Sequence, residues 1–384
     1  MIINTCFNFR SFTLVAVLIT GLGLVTHANA DDRYFFLDLN NRTATRLFNT
    51  SDFGFTLVDI NDAGQVVGSF YRGSIRHAFI TGPNGIGMRD LGTLGGNYSA
   101  ALAINDAGQV VGYSSTAEGG SHAFITGPNG MGMRDLGTLG GGSSAAYGIN
   151  NIGQVAGYSV TNAGSRHAFV TGPDGMGMRD LDTSGGYWSS ADGINDAGQV
   201  VGSFYIGAAT RHVFLTGPDG TGMRDIGSNH IEPISDDFDI NNAGQVVGRG
   251  ITSQGFRHAF ITGADGMSIK ELSSFDRDSG TYYSMSAAHS INDAGQAVGW
   301  SSVHGSFFGR AFITGPDGGL IDLNSLVDLP EGVTLTDAMA INNNGQIIAV
   351  ATIPEPETYA LMLAGLGLIG FVAWRKKAEN RLGY

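Results

Sequence analysis

Apolar and polar residues follow one phrase along most of the chain. In Ile194-Asn195-Asp196-Ala197-Gly198-Gln199-Val200-Val201-Gly202 an apolar run ends at Asn, a polar turn follows, and a second apolar run leaves it. The phrase recurs at residues 60–68, 104–112, 149–157, 240–248, 291–299 and, more loosely, 341–349. Its Asn stands at 61, 105, 150, 195, 241, 292 and 342, in steps of 44, 45, 45, 46, 51 and 50. A near-constant period in the forties marks an array of supersecondary units.

The pattern inside the phrase predicts short strands. Neighbours such as Val110 and Val111 must point to opposite faces of a strand, so each small sheet is apolar on both faces and is expected to be covered on both. Asn, Asp and Gly supply the turn between the two runs. A second module alternates with the first. His122-Ala123-Phe124-Ile125-Thr126, a Gly-Pro-Asn-Gly turn and Met133-Arg134-Asp135-Leu136 read as another hairpin. It returns at 77–91, 167–181, 212–226, 258–272 and, with Arg310 in place of His, at 310–323. Tyr34-Phe35-Phe36 can be laid on His-Ala-Phe, so residues 33–48 supply a degenerate first copy.

Two hairpins per period give about four short strands, the size of a propeller blade. Parallel β-solenoids also cover both faces, but with coils nearer twenty to thirty residues. The expected fold is all-β: a seven-bladed β-propeller of tandem repeats of about 45 residues, over residues 31–352. Two cuts fit equally. Blades can start at the first module and follow one another along the chain, or residues 34–48 can complete the last blade and join the two ends.

Composition sharpens this picture. Glycine supplies 60 of 384 residues, about twice the usual share, as expected of many tight turns in which positive φ is tolerated. The formal net charge is −13, and an acidic body repels phosphate backbones, which excludes nucleic acid as a partner class. Cys6 is the one cysteine, so neither a disulfide framework nor a cysteine metal site is available. It precedes the first apolar run, which does not suit a lipoprotein leader.

The ends differ from the body. Arg10, the apolar run 12–25 and Ala28-Asn29-Ala30 predict a secretory signal peptide over residues 1–30, cut before Asp31. At the other end Pro354-Glu355-Pro356 precedes an apolar helix-like run, 359–374, and then Arg375-Lys376-Lys377. Sixteen residues at ~1.5 Å each fall a little short of a ~30 Å hydrocarbon core, a gap that flanking Lys and Arg can close by snorkelling. The basic cluster holds that end in the cytoplasm and the body outside. A transmembrane sorting helix is therefore expected within residues 353–384, with a permanent single-span anchor as the plainer alternative.

Those three parts in that order resemble the PEP-CTERM sorting signal of Gram-negative bacteria. The resemblance implies recognition by an exosortase, cleavage near Pro354–Pro356, and delivery to the cell surface or extracellular polymer after transient anchoring in the inner membrane. The tail 378–384 is longer than is usual for such signals. The body carries a second resemblance. His-Ala-Phe at 77, 122, 167 and 258, with Asp-Leu-Gly-Thr-Leu-Gly-Gly at 90–96 and 135–141, is similar to the HAF extracellular repeat family. That implies a secreted bacterial repeat protein and no defined activity.

One His per repeat (His77, His122, His167, His212, His258) invites a metal reading, but ligands some 45 residues apart converge only along a central channel, so a strand histidine bonded to a nearby carbonyl is the expected role. The Asn-Asp-Ala-Gly-Gln turns lack a carboxylate at Asn151, Asn242 and Asn343 and do not resemble a dense Ca²⁺ loop. The pairs Arg89-Asp90, Arg134-Asp135, Arg179-Asp180 and Arg224-Asp225 are expected to bridge neighbouring blades or lie in solvent. No metal or cofactor is expected.

No Gly-x-Ser-x-Gly elbow, His-Glu-x-x-His helix or P-loop is present, and no catalytic residue is assigned. The repeat is least regular at 228–238 and 273–283, so Asp236, Asp237 and the adjoining Asp239, with Asp276, Asp278, Tyr282 and Tyr283, are the candidates for a binding surface. Tolerated loop insertion is the plainer account of them. The expected function is that of a secreted, non-catalytic surface or matrix protein, sorted by an exosortase and binding polysaccharide or another surface protein. The alternative is a propeller hydrolase or lyase acting on extracellular polysaccharide.

Overall fold

Each Asn of the repeated phrase turns the chain from one strand into the next. Asn105 N–H donates to the Gln109 carbonyl at 3.1 Å and Gly108 N–H returns to the Asn105 carbonyl at 2.9 Å. Gln109 N–H bonds the Asn105 Oδ1 at 2.9 Å, and Gly108 has φ 71°, in the left-handed region that favours glycine. A four-stranded antiparallel unit is built around this turn. In the computed structural model, Gly95–Ile104, Val110–Thr116, Ser121–Gly127 and Met131–Gly137 pair in that order. The structure describes residues 33–48, 54–181, 188–206, 210–227, 231–233, 238–264, 266–275, 284–303, 309–353, 365, 367–372 and 374.

The same unit recurs along the chain. It starts at Gly54–Ile60, Gly140–Ile149, Ser189–Ile194 and Ser286–Ile291, each strand leading to its Asn. In the copy around Asn241 the leading strand is split into Ile231–Pro233 and Asp239–Ile240. The last copy joins the two ends of the body: Thr334–Ile341 and Gln346–Thr352 are continued by Arg33–Asp38 and Thr43–Arg46, with Phe36 opposite Ile348. Of the two cuts open in the sequence, this is the one in which residues 34–48 complete the last sheet.

Sequence chemistry explains the outer hairpin as well. In Pro83-Asn84-Gly85 and its copies Asn84, Asn129, Asp174 and Asp219 have φ between 52° and 57°, a region that Asn and Asp enter more readily than other side chains. The next glycine then meets the preceding sheet: Gly130 lies against Leu91 and Ile80. In the second strand glycine is required by close approach, because a Cβ on Gly112 would overlap the Ala100 carbonyl oxygen of the paired strand.

The core lies between neighbouring sheets. Val67, Ala78 and Ile80 of one sheet pack with Ala101, Ile104, Val110 and Phe124 of the next. Phe36, Leu47, Ala340 and Ile348 pack in the same way with Leu57, Ile60, Val66 and Phe79, which ties the last sheet to the first complete one. Burial on both strand faces is what the paired valines predicted. Serine pegs add polar links: Ser99 Oγ accepts from Ala78 N–H of the preceding sheet at 2.9 Å and donates to the Gly92 carbonyl at 2.6 Å.

Arg33–Thr352 forms one compact unit. The expected signal peptide, residues 1–30, lies outside the described residues. Of the expected transmembrane run, Gly365, residues 367–372 and Trp374 are described, as helix. Among the described residues no helix is long and apolar enough to cross a membrane.

Candidate functional site

The inner strands end in two hydrogen-bonded rings. Asn61 Nδ2 donates to the Asn105 carbonyl at 3.0 Å, and Asn105, Asn150, Asn195, Asn241 and Asn292 each donate to the next Asn carbonyl in turn. Asn342 donates to the carbonyl of Asn61 at 2.9 Å, so the series returns to its start. All these Asn side chains are buried and each also bonds its own Gln, as Asn61 does to Gln65 Oε1. One residue further on, Asp62, Asp106, Asn151, Asp196, Asn242, Asp293 and Asn343 form a second ring, exposed except at the half-buried Asp62. Here amides sit between carboxylates: Asn151 Nδ2 reaches Asp106 Oδ2 at 2.9 Å and Asp196 Oδ2 at 3.2 Å. Asp62 and Asp106 are the one carboxylate pair with no amide between them, and Asp62 N–H donates to Asp106 Oδ1 at 3.0 Å. The three Asn that break the acidic pattern in sequence are thus the bridging members of the ring. The two rings leave a cavity of about 150 Å³ at this end.

Further along the same axis lies a larger cavity of about 410 Å³, lined from every inner strand. A register shift three residues before the Asn inserts an extra residue in most of these strands, as between Leu57 and Asp59, Ala146 and Gly148, and Ala191 and Gly193. The inserted residue re-aims a side chain, as bulges do. The residue at this position differs in every copy: Val58, Leu102, Tyr147, Asp192, Phe238, His289 and Met339. Val58, Leu102, Phe238 and Met339 make the apolar part of the lining; Tyr147, Asp192 and His289 make the polar part.

Buried polar groups set the electrostatics. Asp59 accepts from Ile60 N–H at 2.8 Å and from Ile104 N–H of the next sheet at 2.9 Å. Although its atoms touch the cavity, the surrounding protein strips it of bulk water, and desolvation pushes its carboxyl up to about 7 against the pull of those two N–H groups. Asp239 repeats the arrangement with Ile240 N–H at 2.8 Å and Ile291 N–H at 3.0 Å, and is also raised by desolvation. Tyr147 is pushed up to about 12 by burial, against the nearby Arg166 guanidinium. Arg166 Nη2 donates to Ser190 Oγ at 3.2 Å, and its Cζ lies 3.5 Å from the Tyr158 ring centroid and 4.7 Å from that of Trp188. His289 Nε2 is 3.3 Å from Asp337 Oδ1.

The repeated histidines serve the sheets. His77 Nδ1 pairs with Asp90 Oδ2 at 2.8 Å, His122 with Asp135 at 2.8 Å, His167 with Asp180 at 2.7 Å and His212 with Asp225 at 2.5 Å. Glu271 replaces Asp opposite His258, and Arg310 replaces His opposite Asp322. The expected carbonyl partner is therefore corrected to a carboxylate: the two outer strands pair so that a residue 13 later lies beside the ring. The Arg beside that Asp crosses to the next sheet. Arg89 donates to the Asn129 carbonyl, Arg134 to Asp174 and, at 2.9 Å, Arg179 to Asp219. No group of three or more His, Cys, Asp or Glu that could hold a metal ion occurs among the described residues.

Of the candidate binding residues, Asp239 is described and lines the axial cavity. Asp236, Asp237, Asp276, Asp278, Tyr282 and Tyr283 lie outside the described residues, as do Pro354, Glu355 and Pro356. The cavity itself was missed. Its sequence signal was the position three before each Asn, which holds a different residue in every copy.

Residues 352–377 match the PEP-CTERM protein-sorting motif. The chain carries an exosortase sorting signal. That signal marks a protein for export and sorting to the cell surface. No curated protein matches the chain.

Among solved structures the chain is similar to oligogalacturonate lyase from Vibrio parahaemolyticus, with 11% identity, TM-score 0.53, and 84% of this chain and 97% of that one covered. It is similar to puromycin hydrolase, with 13% identity, TM-score 0.52 and coverage of 77% and 52%. A putative TolB from Agrobacterium tumefaciens matches at 12% identity and TM-score 0.48, with 85% and 100% covered. At these identities the likeness to the lyase and the hydrolase shows a propeller-like all-β fold and nothing of the chemistry.

Proposed function

We propose that the chain is an exported, non-catalytic surface or matrix protein whose body is a closed seven-bladed β-propeller of HAF-type repeats. It is exported by the signal peptide 1–30, held in the inner membrane by residues 359–374, and released by an exosortase near Pro354–Pro356. Outside the cell it binds polysaccharide through the axial cavity. The observation that carries this reading is the bond from Asn342 Nδ2 to the Asn61 carbonyl. It supports a closed, repetitive scaffold whose uniformity is broken at the axis, where a ligand can be discriminated.

A glycan array with the purified chain tests the role. Binding of at least one extracellular polysaccharide without turnover is expected. Release of reducing sugar from that polymer would replace the reading with the hydrolase or lyase alternative. Capture of another surface protein with a blank array would move the role to protein adhesion.

A further inference from the structure

The axial cavity has two unlike sides. Tyr147, Arg166, Ser190 and Asp192 come from two neighbouring sheets and gather on one. Val58, Leu102 and Met339, interrupted by the buried carboxyl of Asp59, lie far from these in the pairing order or on the flank next to Tyr147. Arg166 is the fixed member of the polar side. Its guanidinium is stacked against Tyr158 and Trp188 and tied to Ser190, and its buried Nε has no hydrogen-bond partner in the protein. Buried donors of this kind are normally satisfied, and a charged one left unbonded is the more expensive case. Arg76 Nε, at the same place in its own repeat and away from the cavity, is likewise unbonded, so it is the place of Arg166 in the cavity lining that makes its guanidinium available to a ligand.

Charge and shape narrow the class. Asp59, Asp192 and Asp239 outnumber Arg166 along the lining, and His289 already faces Asp337. An anionic ligand would therefore meet Asp192 beside Arg166, with Asp59 and Asp239 adding repulsion as they lose the protons that burial holds on them. A wholly apolar ligand would strip water from Arg166 and Asp192 and return no hydrogen bonds. A neutral ring with hydroxyls on its edge and C–H groups on its face satisfies both sides, and a cavity of about 410 Å³ is within the range of small-molecule sites, roughly 300–1,000 Å³. At the Asn end the hydrogen-bonded rings leave only about 150 Å³, which favours a chain end over a polymer threaded along the axis.

We propose that the axial cavity binds the terminal neutral sugar residue of a glycan, with Arg166 and Asp192 holding its hydroxyl edge and Leu102, Val58 and Met339 facing its apolar side. The proposal rests on the polysaccharide-binding reading and adds where and in what mode the polymer is held.

Saturation-transfer NMR on the purified full chain with methyl glucoside, methyl galactoside, methyl mannoside and glucuronate tests it, alongside the array. At least one neutral glycoside should bind, more tightly than glucuronate. Asp192→Asn and Arg166→Gln should each weaken it by tenfold or more, and Leu102→Trp, which fills the cavity from a half-exposed position, should abolish it. Thermal melts check folding, and Leu102→Trp keeps the test decisive if Arg166→Gln does not fold. Equal binding of glucuronate, or glycoside binding untouched by Leu102→Trp, overturns the assignment. If polymer binds on the array and Leu102→Trp leaves it unchanged, the axial site fails while the polysaccharide reading stands. If neither glycosides nor polymer bind, both fall.

Discussion

Asn342 donates its side-chain amide to the carbonyl oxygen of Asn61, 281 residues earlier in the chain, at 2.9 Å. It is the same bond that joins each inner strand to its successor, so the contact between the body's last and first inner strands is chemically like every other. With Phe36 paired opposite Ile348 and Leu47 in the shared core, three kinds of interaction meet at this seam.

Asn342→Ala should lower stability by about 2–4 kcal/mol, since it leaves the Asn61 carbonyl and Gln346 without their buried partners, at ~1–3 kcal/mol per unsatisfied group. Asn105→Ala breaks an equivalent set and should be similar. Hydrogen exchange separates the two: the seam variant should lose protection first in Arg33–Asp38 and Gln346–Thr352, the other in Gly95–Ile104. Identical exchange patterns would show that the seam is not a separable element.

Asp59 makes stability depend on pH in the unusual direction. Its folded carboxyl titrates near 7, above the ordinary 3.8, so between those values the folded chain keeps a proton that the unfolded chain releases. This contribution is fully present below the unfolded value and is lost as pH rises through the folded one, on the order of 1 kcal/mol per pH unit. Equivalent positions hold Ala103 and Ala340, so Asp59→Ala suits the backbone. Denaturant melts from pH 4 to 8 should show the variant gaining on the parent as pH rises; a constant gap would refute the assignment.

The His–carboxylate pairs differ in worth. His122 and Asp135 have side chains 24% and 41% exposed, and a double-mutant cycle should return a coupling of about 0.5 kcal/mol that shrinks in salt. His258 is 6% exposed and also meets Ser284, so His258→Ala should be the more damaging of the two single changes. Urea midpoints at low and high salt decide it.

Glycines of the same repeat should diverge sharply. Gly112→Ala drives a methyl group into the Ala100 carbonyl and is expected to prevent folding of its sheet, whereas Gly142, with nothing within 4 Å of a Cβ and no positive φ, should accept Ala with a change below about 0.5 kcal/mol. Soluble yield and thermal melts report both.

How much of this was legible follows from range. The hairpins and their turns are local: Asn105 to Gln109 is four residues, and the phrase spells it out. The bond from Asn105 to the Asn150 carbonyl spans 45 residues and leaves no local trace, so the repeated Asn read only as a turn former. The choice of sheet boundary was closed to sequence for a related reason, because either cut preserves the pattern and only the pairing of Phe36 with Ile348 decides. The histidine partner was within reach: a carboxylate stands 13 residues after His77, His122, His167, His212 and His258. The irregular inserts stand out in the sequence because they change the repeat length, whereas Val58, Tyr147 and Asp192 vary without changing it.

Seven seats around a table cannot alternate two kinds of guest without seating two of one kind together. Asp62 and Asp106 are those neighbours in the outer ring of Asp and Asn. A rim that otherwise alternates thereby acquires a marked meridian, where two carboxylates stand side by side.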